Sequence, residues 1–455
     1  MIAVTTFAQK SVLVFGLGGS GLATALALVE GGATVLAYDD NKARIKAAND
    51  ERIATADFRE VDFSAYDALI LSPGVPLTHP EPHWSVKRAQ AANVEIIGDV
   101  ELFNRERLAV APDSQFIAIT GTNGKSTTTA LIAHVLSHAG LDVQMGGNIG
   151  RAVLTLDPLS SDKAYVVECS SYQIDLAPSL KPSIGVHLNI SPDHLDRHGT
   201  VEHYADVKSQ LVLGADHSVV GIDDEYSLQI ANDVEGQAVS LDRVSVMGEG
   251  DVTADGTVIL ANGAAVVDVA GIASLRGQHN LQNAAIAYAV CKKAGLSNDG
   301  IQAGFASFPG LAHRMEQVAE KNGVAFVNDS KATNADAVAH ALGSFDKIYW
   351  ILGGLEKDGG IESLNDFFPR IIHGFLVGEA QDSFAKVLEG KVAFSKCGTI
   401  DRATALAAEM ALSAAYEAHQ SVAVLLSPAC ASWDQFVSFE TRGDAFKDAV
   451  RLALK

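Results

Sequence analysis

Short runs of β-branched and aliphatic residues recur along the chain with hardly a polar position inside them. They are "SVLVFG" (11–16), "TVLAY" (34–38), "DALIL" (67–71), "QFIAIT" (115–120), "AYVVE" (164–168) and "IGVHLN" (184–189), then "VAFVND" (324–329), "KIYWIL" (347–352), "GFLVG" (374–378) and "VAVLLS" (422–427). A strand with one wet face alternates apolar and polar side chains. These runs do not alternate, so both faces are buried, as in a parallel sheet covered by helices. Helical patterns follow many of the runs, and the expected fold class is α/β. A chain of 455 residues exceeds what one core can organise, and about three domains are expected. The polar stretch "NRERLAVAPDSQ" (104–115) precedes a new strand and sets one boundary near 105. "FASFPGLAHRM" (305–315), with a proline and a glycine that break helix, sets the other near 310. The expected domains are therefore residues 1–105, 106–310 and 311–455. Within the second, the Gly-, Asp- and Val-rich stretch 217–275 predicts small strands added to its sheet.

Composition then removes whole classes of function. Hydrophobic residues make up 48% and charged residues 20%, the balance of an ordinary globular protein. A net charge of −21 leaves no basic surface for nucleic acid or an anionic membrane, so neither is an expected partner. Anionic small substrates remain open, because a site can be locally basic within an acidic protein. Cys169, Cys291, Cys397 and Cys430 lie far apart, which excludes a disulfide framework and a zinc ribbon and fits a reducing compartment. The start, "MIAVTTFAQKSVLVFG", lacks a basic segment followed by an apolar one, and no run reaches 18 apolar residues. A cytoplasmic monomer is the expectation.

Glycine-rich turns after strands carry the candidate chemistry. Gly16-x-Gly18-x-x-Gly21 follows the first strand and opens a helix, and Asp39 ends the next strand. Such glycines bring a phosphate close to a helix N-terminus. Alone, the pattern fits NAD, the diphosphate of another nucleotide, or plain helix–strand packing. "LSPGV" (71–75), ending the third clear strand, is a turn where a ligand can lie.

"AITGTNGKSTTTAL" (118–131) sets Gly121-Thr122-Asn123-Gly124-Lys125-Ser126 between a strand and a helix expected to run to about Ala139. Ile119 stands where the usual nucleotide loop has a further glycine. The loop's length changes, but backbone N–H groups and a lysine still aim at phosphate, with the Ser126 hydroxyl available to Mg²⁺. A basic residue at a helix start opposes the macrodipole, so a purely structural turn has no use for Lys125. Glu168 ends a strand beside this loop, as a metal-binding acid or as a solvated strand end. "NISPDHLDRHG" (189–199) gathers Asp193, His194, Asp196 and His198. The His194–His198 spacing suits zinc on a helix, but Leu195 replaces a general-base Glu and no third ligand is evident. A metal-organising role beside Mg²⁺ and a helix cap with surface histidines both remain. On pattern alone, Lys208 in "YADVKSQL" is a solvated helix lysine.

"GTNGKSTTT", "GGNIG" (146–150), "ECSSYQ" (168–173), "NISPDHLDRHG" and "GQHNLQNAAIA" (277–287) stand in the order found in the Mur ligases. The chain resembles that family, which builds the cytoplasmic peptide stem of peptidoglycan, over essentially its whole length. Its tail, "LSPACASWDQFVSFETRGDAF" (426–446), resembles the D-glutamate-adding branch. The resemblance implies a Rossmann-like N-terminal domain holding UDP rather than NAD, a P-loop-like central ATPase domain and a Rossmann-like C-terminal domain. It implies UDP-N-acetylmuramoyl-L-alanine and D-glutamate as substrates, with ATP and two Mg²⁺ ions.

Carried over residue by residue, the family pattern puts Gly18, Gly19, Ser20, Asp39, Asp40, Asn41, Ser72, Pro73 and Gly74 on the UDP end of the substrate, and Asn148 and His194 further along it. Asp40-Asn41 depart from it: some members carry Thr-Arg there, so a guanidinium that meets a phosphate or the uracil end is missing. Gly121, Thr122, Asn123, Gly124, Lys125, Ser126 and Thr127 fall on the ATP phosphates, Asn280 and Asn283 near adenine, Asp329 on the ribose with Lys331 nearby, and Arg314 on the phosphates. Ser126, Glu168, His194 and Lys208 fall on the metal site, Lys208 as a carbamate. A bare ammonium repels Mg²⁺, whereas a carbamate supplies the hard anionic oxygens it prefers. Thr333, Lys357, Ser432 and Phe439 fall on D-glutamate, whose two carboxylates call for a basic residue and hydroxyl donors. Without the resemblance Ser432 reads as a helix cap and Phe439 as core. Lys125, Glu168, His194, Lys208 and Arg314 are the implied catalytic set.

Overall fold

The computed structural model describes residues 1–356, 360–414, 416 and 420–455, with only the backbone of Asp336. Among them the strands form three sheets. In the first, β1 (Ser11–Phe15), β2 (Thr34–Tyr38), β3 (Ala54–Thr55), β4 (Ala68–Leu71) and β5 (Glu95–Ile97) lie in the order 3-2-1-4-5, all parallel. Val12, Val14, Ala68 and Ile70 enter one core while Leu13, Phe15, Leu69 and Leu71 enter another. The unbroken apolar runs thus feed two cores from opposite faces of one sheet, and such a strand cannot afford a polar position.

The second sheet joins β6 (Gln115–Thr120), β7 (Asp142–Gly147), β8 (Lys163–Glu168), β9 (Ile184–His187), β10 (His217–Gly221), β11 (Ser240–Val244), β12 (Val252–Asp255), β13 (Val258–Ala261) and β14 (Ala264–Asp268). Their order is 14-13-12-11-10-9-6-8-7. The strands expected within 217–275 are present and continue this sheet: β10 and β11 extend it in parallel, and β12–β14 close its edge as an antiparallel meander.

These two sheets belong to one compact unit, Met1–Ala270 with Asn280–Ser307. Helix Asp99–Val110 ties them, and the boundary placed near 105 lies inside it. Its Glu106 accepts from the Thr6 N–H at 2.8 Å, and its Arg107 donates to the Lys181 carbonyl at 2.9 Å. Buried charges on this helix are therefore paired to both sides, as burial requires.

A second compact unit, Gly271–His279 with Phe308–Lys455, holds the third sheet. It comprises β15 (Glu316–Lys321), β16 (Val324–Asn328), β17 (Lys347–Gly353), β18 (Ile371–Val377), β19 (Phe394–Gly398) and β20 (Val422–Leu426), ordered 15-16-20-17-18-19. Only β15 is antiparallel, pairing β16 at the edge. Alternate residues again serve opposite cores, Val327, Trp350 and Leu425 on one face and Phe326, Ile351 and Val424 on the other. In each sheet the loops leaving the carboxyl ends of the parallel strands carry many of the candidate residues, where doubly wound folds place ligands.

Candidate active site

The loop after β6 turns through Gly121 (φ 148°) and Gly124 (φ 83°) into helix Lys125–His138, one residue short of the expected end. Gly124 has a second reason to be glycine: a Cβ there would stand 2.3 Å from Asn283 Oδ1. Asn283 in turn donates to Asn280 at 3.2 Å, so both asparagines border the loop. The loop is laced to the segment after β9. Asn189 accepts from the Thr122 N–H through its carbonyl at 2.8 Å and from the Asn123 N–H through Oδ1 at 2.9 Å. Lys125 Nζ donates to the carbonyls of Gly121 at 2.9 Å and Thr122 at 2.7 Å, folded back over the loop it follows. Ser126 is buried in the first turn, with Thr127 half-buried beside it.

Glu168, at the end of β8, is buried rather than solvated. Its Oε1 accepts from Asn148 Nδ2 at 2.8 Å, while Oε2 is buried with no hydrogen-bond partner. A buried carboxylate oxygen left open is costly unless a cation takes it. Magnesium takes hard oxygens, keeps several waters and substrate phosphates, and needs only one or two protein carboxylates, so Glu168 beside the phosphate loop fits it. Among the described residues no group of three or more His, Cys, Asp or Glu side chains is arranged to hold a metal.

Lys208 corrects the pattern-based expectation of a solvated lysine. In helix Val201–Leu213 it is 1% exposed, and its Nζ donates to Thr120 Oγ1 at 3.0 Å and the Gly121 carbonyl at 2.8 Å. Burial first, and then the Lys125 charge, pull its pKa well below the usual lysine value, against the opposing pull of Asp193, Cys169 and Glu168. Lys125, Glu168 and Lys208 therefore share one electrostatic neighbourhood.

The Asp-His segment folds as helix Leu195–His198, with His194 ahead of it at φ 54°. The His194 ring lies 5.2 Å from that of Tyr172, and its Nε2 is 3.5 Å from Asp193. His198 is buried instead, stacked on Tyr172 and bonded to Ser171 Oγ at 2.9 Å, and burial lowers its pKa to about 4. Sequence reasoning missed Arg197 between them. Its guanidinium lies over Tyr172 and donates to the carbonyls of Gly74 at 3.2 Å and Pro73 at 3.5 Å. A narrow cleft opens here, with Pro73, Tyr172, Arg197 and His198 among its walls.

At the first sheet, Gly16 (φ 93°) and Gly21 allow the glycine turn: a Cβ on Gly21 would stand 1.8 Å from the Gly16 carbonyl oxygen. Gly18 precedes helix Gly19–Glu30, and the Ser20 carbonyl is taken by Thr24. Asp39 braces this turn, accepting from the Leu17 N–H at 2.7 Å, the Asn41 N–H at 2.7 Å and Arg44 at 3.3 Å. Asn41 caps helix Lys42–Asp50, accepting from the Ala43 N–H. Asp40 faces Arg59 and His83. The Ser72 N–H bonds to the Phe15 carbonyl, holding the Ser72-Pro73-Gly74 turn beside the glycine turn.

In the second unit, the loops after β16 and β20 converge. Asp329 is buried, accepting from Ser427 Oγ at 2.8 Å and the Met315 N–H at 3.2 Å. Burial raises its pKa to about 7, although Ser427, Met315 and the Arg314 charge favour the carboxylate. Arg314 follows His313 (φ 62°) in a tight turn, and its Nε is buried without a partner. Lys331 Nζ lies 5.5 Å over the ring of Phe439, which opens helix Phe439–Ala453, while Thr333 is half-buried and Ser432 buried. Arg442, another residue missed from sequence, donates to the Ser330 carbonyl at 2.8 Å and the Cys430 carbonyl at 3.0 Å, locking these loops together. Lys357 lies outside the described residues.

A phosphate loop, an open buried carboxylate and a buried amine have the chemistry to hold a nucleoside triphosphate and its metal, and comparison with known proteins narrows the class. Residues 10–98 match the family "Mur ligase MurD-like, N-terminal domain" and residues 119–291 match "Mur ligase middle domain". The chain belongs to the Mur ligase family. It is 57% identical over 453 residues to the UDP-N-acetylmuramoylalanine–D-glutamate ligase of Rhizobium johnstonii, covering 98% of this chain and 96% of that one. With the enzyme of the same name from Agrobacterium fabrum it shares 56% over 452 residues, with the same coverage. Among solved structures, UDP-N-acetylmuramate-alanine ligase from Thermotoga maritima has the same fold (TM-score 0.58, 16% identity, 98% of this chain and 100% of that one). No helix among the described residues is long and apolar enough to cross a membrane.

Proposed function

We propose that the protein is an ATP-dependent amide ligase that adds D-glutamate to UDP-N-acetylmuramoyl-L-alanine, releasing ADP and phosphate, in the cytoplasmic synthesis of peptidoglycan precursor. Near-full-length identity to ligases bearing that name supplies the substrates. The observation that carries the chemistry is the neighbourhood of half-buried Lys125 with buried Glu168 and Lys208 at the phosphate loop. Residues 1–105 hold UDP, residues 106–310 hold ATP, and residues 311–455 contribute to ATP and D-glutamate, in a protein acting as a monomer.

A carboxylate resists attack by an amine because its charge and its poor leaving group both oppose it. The L-alanine carboxylate of the substrate first attacks the γ-phosphorus of ATP, forming an acyl phosphate and expelling ADP. Lys125 and Arg314 hold the phosphoryl oxygens and neutralise charge during transfer, so positioning and electrostatics do most of the work. Ser126, Glu168, His194 and a carbamylated Lys208 would hold Mg²⁺, two ions in all, which would supply positive charge to the phosphate oxygens. Lys208 suits the modification: burial lowers its pKa and so favours the neutral amine, the form that bonds to CO₂ and releases a proton as the carbamate forms. Thr333, Lys357, Ser432 and Phe439 seat D-glutamate, whose neutral amine adds to the acyl carbon. The tetrahedral intermediate then expels phosphate and leaves the amide. Asn148 and His194 orient the reacting end of the substrate.

Phosphate release from ATP, Mg²⁺ and UDP-N-acetylmuramoyl-L-alanine tests this, with D-glutamate, L-glutamate, meso-diaminopimelate and L-lysine as competing acceptors. Release with D-glutamate alone, and a product heavier by one glutamyl residue, is expected. Release with another acceptor would remove the roles given to Thr333, Lys357, Ser432 and Phe439.

A further inference from the structure

The carboxyl edge of the first sheet ends in an aromatic cluster that holds one cation flat. Phe15 closes β1 and Tyr38 closes β2, and both rings meet Trp84, at 5.4 Å and 6.3 Å. The Arg59 guanidinium lies over the Trp84 ring at 4.5 Å. Its edge is tied down: Nη1 donates to the Tyr38 hydroxyl at 2.9 Å and to Asp57 at 3.3 Å, and Nη2 reaches Asp40 at 3.4 Å. The segment carrying it is pinned as well, since Arg88 donates to the Arg59 carbonyl at 2.6 Å and the Val61 carbonyl at 2.7 Å. Even so, the Arg59 side chain keeps 53% of its surface exposed.

An exposed arginine ordinarily spreads into water and keeps its rotamer freedom. This one is held by one face and its edge, which leaves the opposite face as a rigid, flat, cationic surface. Its support reaches toward the glycine turn, since Trp84 packs against Phe15 and Gly16 follows Phe15 directly. Such a surface stacks on a planar ring and has few free N–H groups left to grip a phosphate.

We propose that Arg59, backed by Trp84, is the platform on which the substrate's pyrimidine base stacks, an inference that rests on reading the first domain as the holder of UDP. It accounts for the departure at Asp40-Asn41. Asn41 is occupied as a helix cap, and Asp40 has become an anchor for a guanidinium that arrives from another segment.

The test compares Arg59→Met and Arg59→Lys with the parent, using UDP-N-acetylmuramoyl-L-alanine and the truncated 1-phospho-N-acetylmuramoyl-L-alanine, which has no base. The expected result is a KM for the UDP substrate raised about ten-fold in both variants, as loss of one cation–ring stack gives, with kcat within about two-fold. The KM for the truncated substrate and for ATP stays unchanged. Full retention of the UDP-substrate KM, or equal losses on both substrates, would overturn the platform, the latter because it marks a phosphate contact. Titration with UDP, following Trp84 fluorescence against a Trp84→Phe control, separates this inference from the ligase reading. A parent that fails to ligate D-glutamate sinks the ligase reading, while a UDP affinity about ten-fold weaker in Arg59→Met still supports the platform, and an equal affinity overturns it.

Discussion

The guanidinium of Arg197 donates to the Gly74 carbonyl across 123 residues of sequence, at 3.2 Å. It leaves from the short helix that follows His194 and reaches the turn Ser72-Pro73-Gly74, so one side chain links the loop assigned to the nucleotide end with the loop assigned to the reacting end. Its stack on Tyr172 fixes its direction. The spacing of these two loops is therefore braced by an arginine that sequence reasoning did not select.

Replacing Arg197 with Met should loosen that brace and leave the phosphate loop intact. Misplacing a bound substrate by about 1 Å costs on the order of 100-fold in rate. We expect kcat/KM for the UDP substrate to fall by about that factor while the KM for ATP holds, in steady-state assays with either substrate varied. Equal losses for both would mean the variant has damaged the fold rather than the brace.

Lys208 offers a test by carbon dioxide. Its amine is buried against Thr120 and Gly121, and burial shifts its pKa downward, toward the neutral form that the proposed carbamate requires. Enzyme equilibrated in CO₂-free buffer should lose activity and regain it slowly on adding bicarbonate. With ¹³C-bicarbonate, a carbamate resonance should appear in the parent and be absent from Lys208→Met. Full activity without CO₂, and no resonance, would leave Lys208 as a plain amine.

The main strands were legible because each feeds two cores. Val12 and Leu13 point into different ones, and no alternating pattern is possible. β15, "EQVAEK", was not, because an antiparallel edge strand is half wet and its charges hide it among loops. The phosphate loop was legible from Gly121 to Ser126 because its chemistry is local. Lys208 was misread from pattern because what buries it, Thr120 and Gly121, lies far away in sequence, and only family resemblance pointed to it. Arg197 sat inside a motif already singled out, but its partners are backbone carbonyls, which have no sequence signature.

Asp329 makes the last prediction, and its sign follows from burial. Its carboxyl moves from an ordinary 3.8 up to about 7, chiefly because burial penalises the charged form. A carboxyl whose folded pKa lies above its unfolded value favours the fold fully below the unfolded value, and that contribution is lost as pH rises toward the folded one. Above about pH 7 the ionised group is therefore a standing cost, on the order of 4 kcal/mol. Asp329→Asn removes the titration and keeps an acceptor for the Met315 N–H and a partner for Ser427. Its thermal stability relative to the parent should rise between pH 4 and pH 7 and then level off, in melts without nucleotide. Its ATP affinity should fall above about pH 7, where the parent carries the carboxylate assigned to the ribose. A stability difference that is flat across this range would mean that Asp329 ionises freely in the fold, and that burial is not what sets its charge.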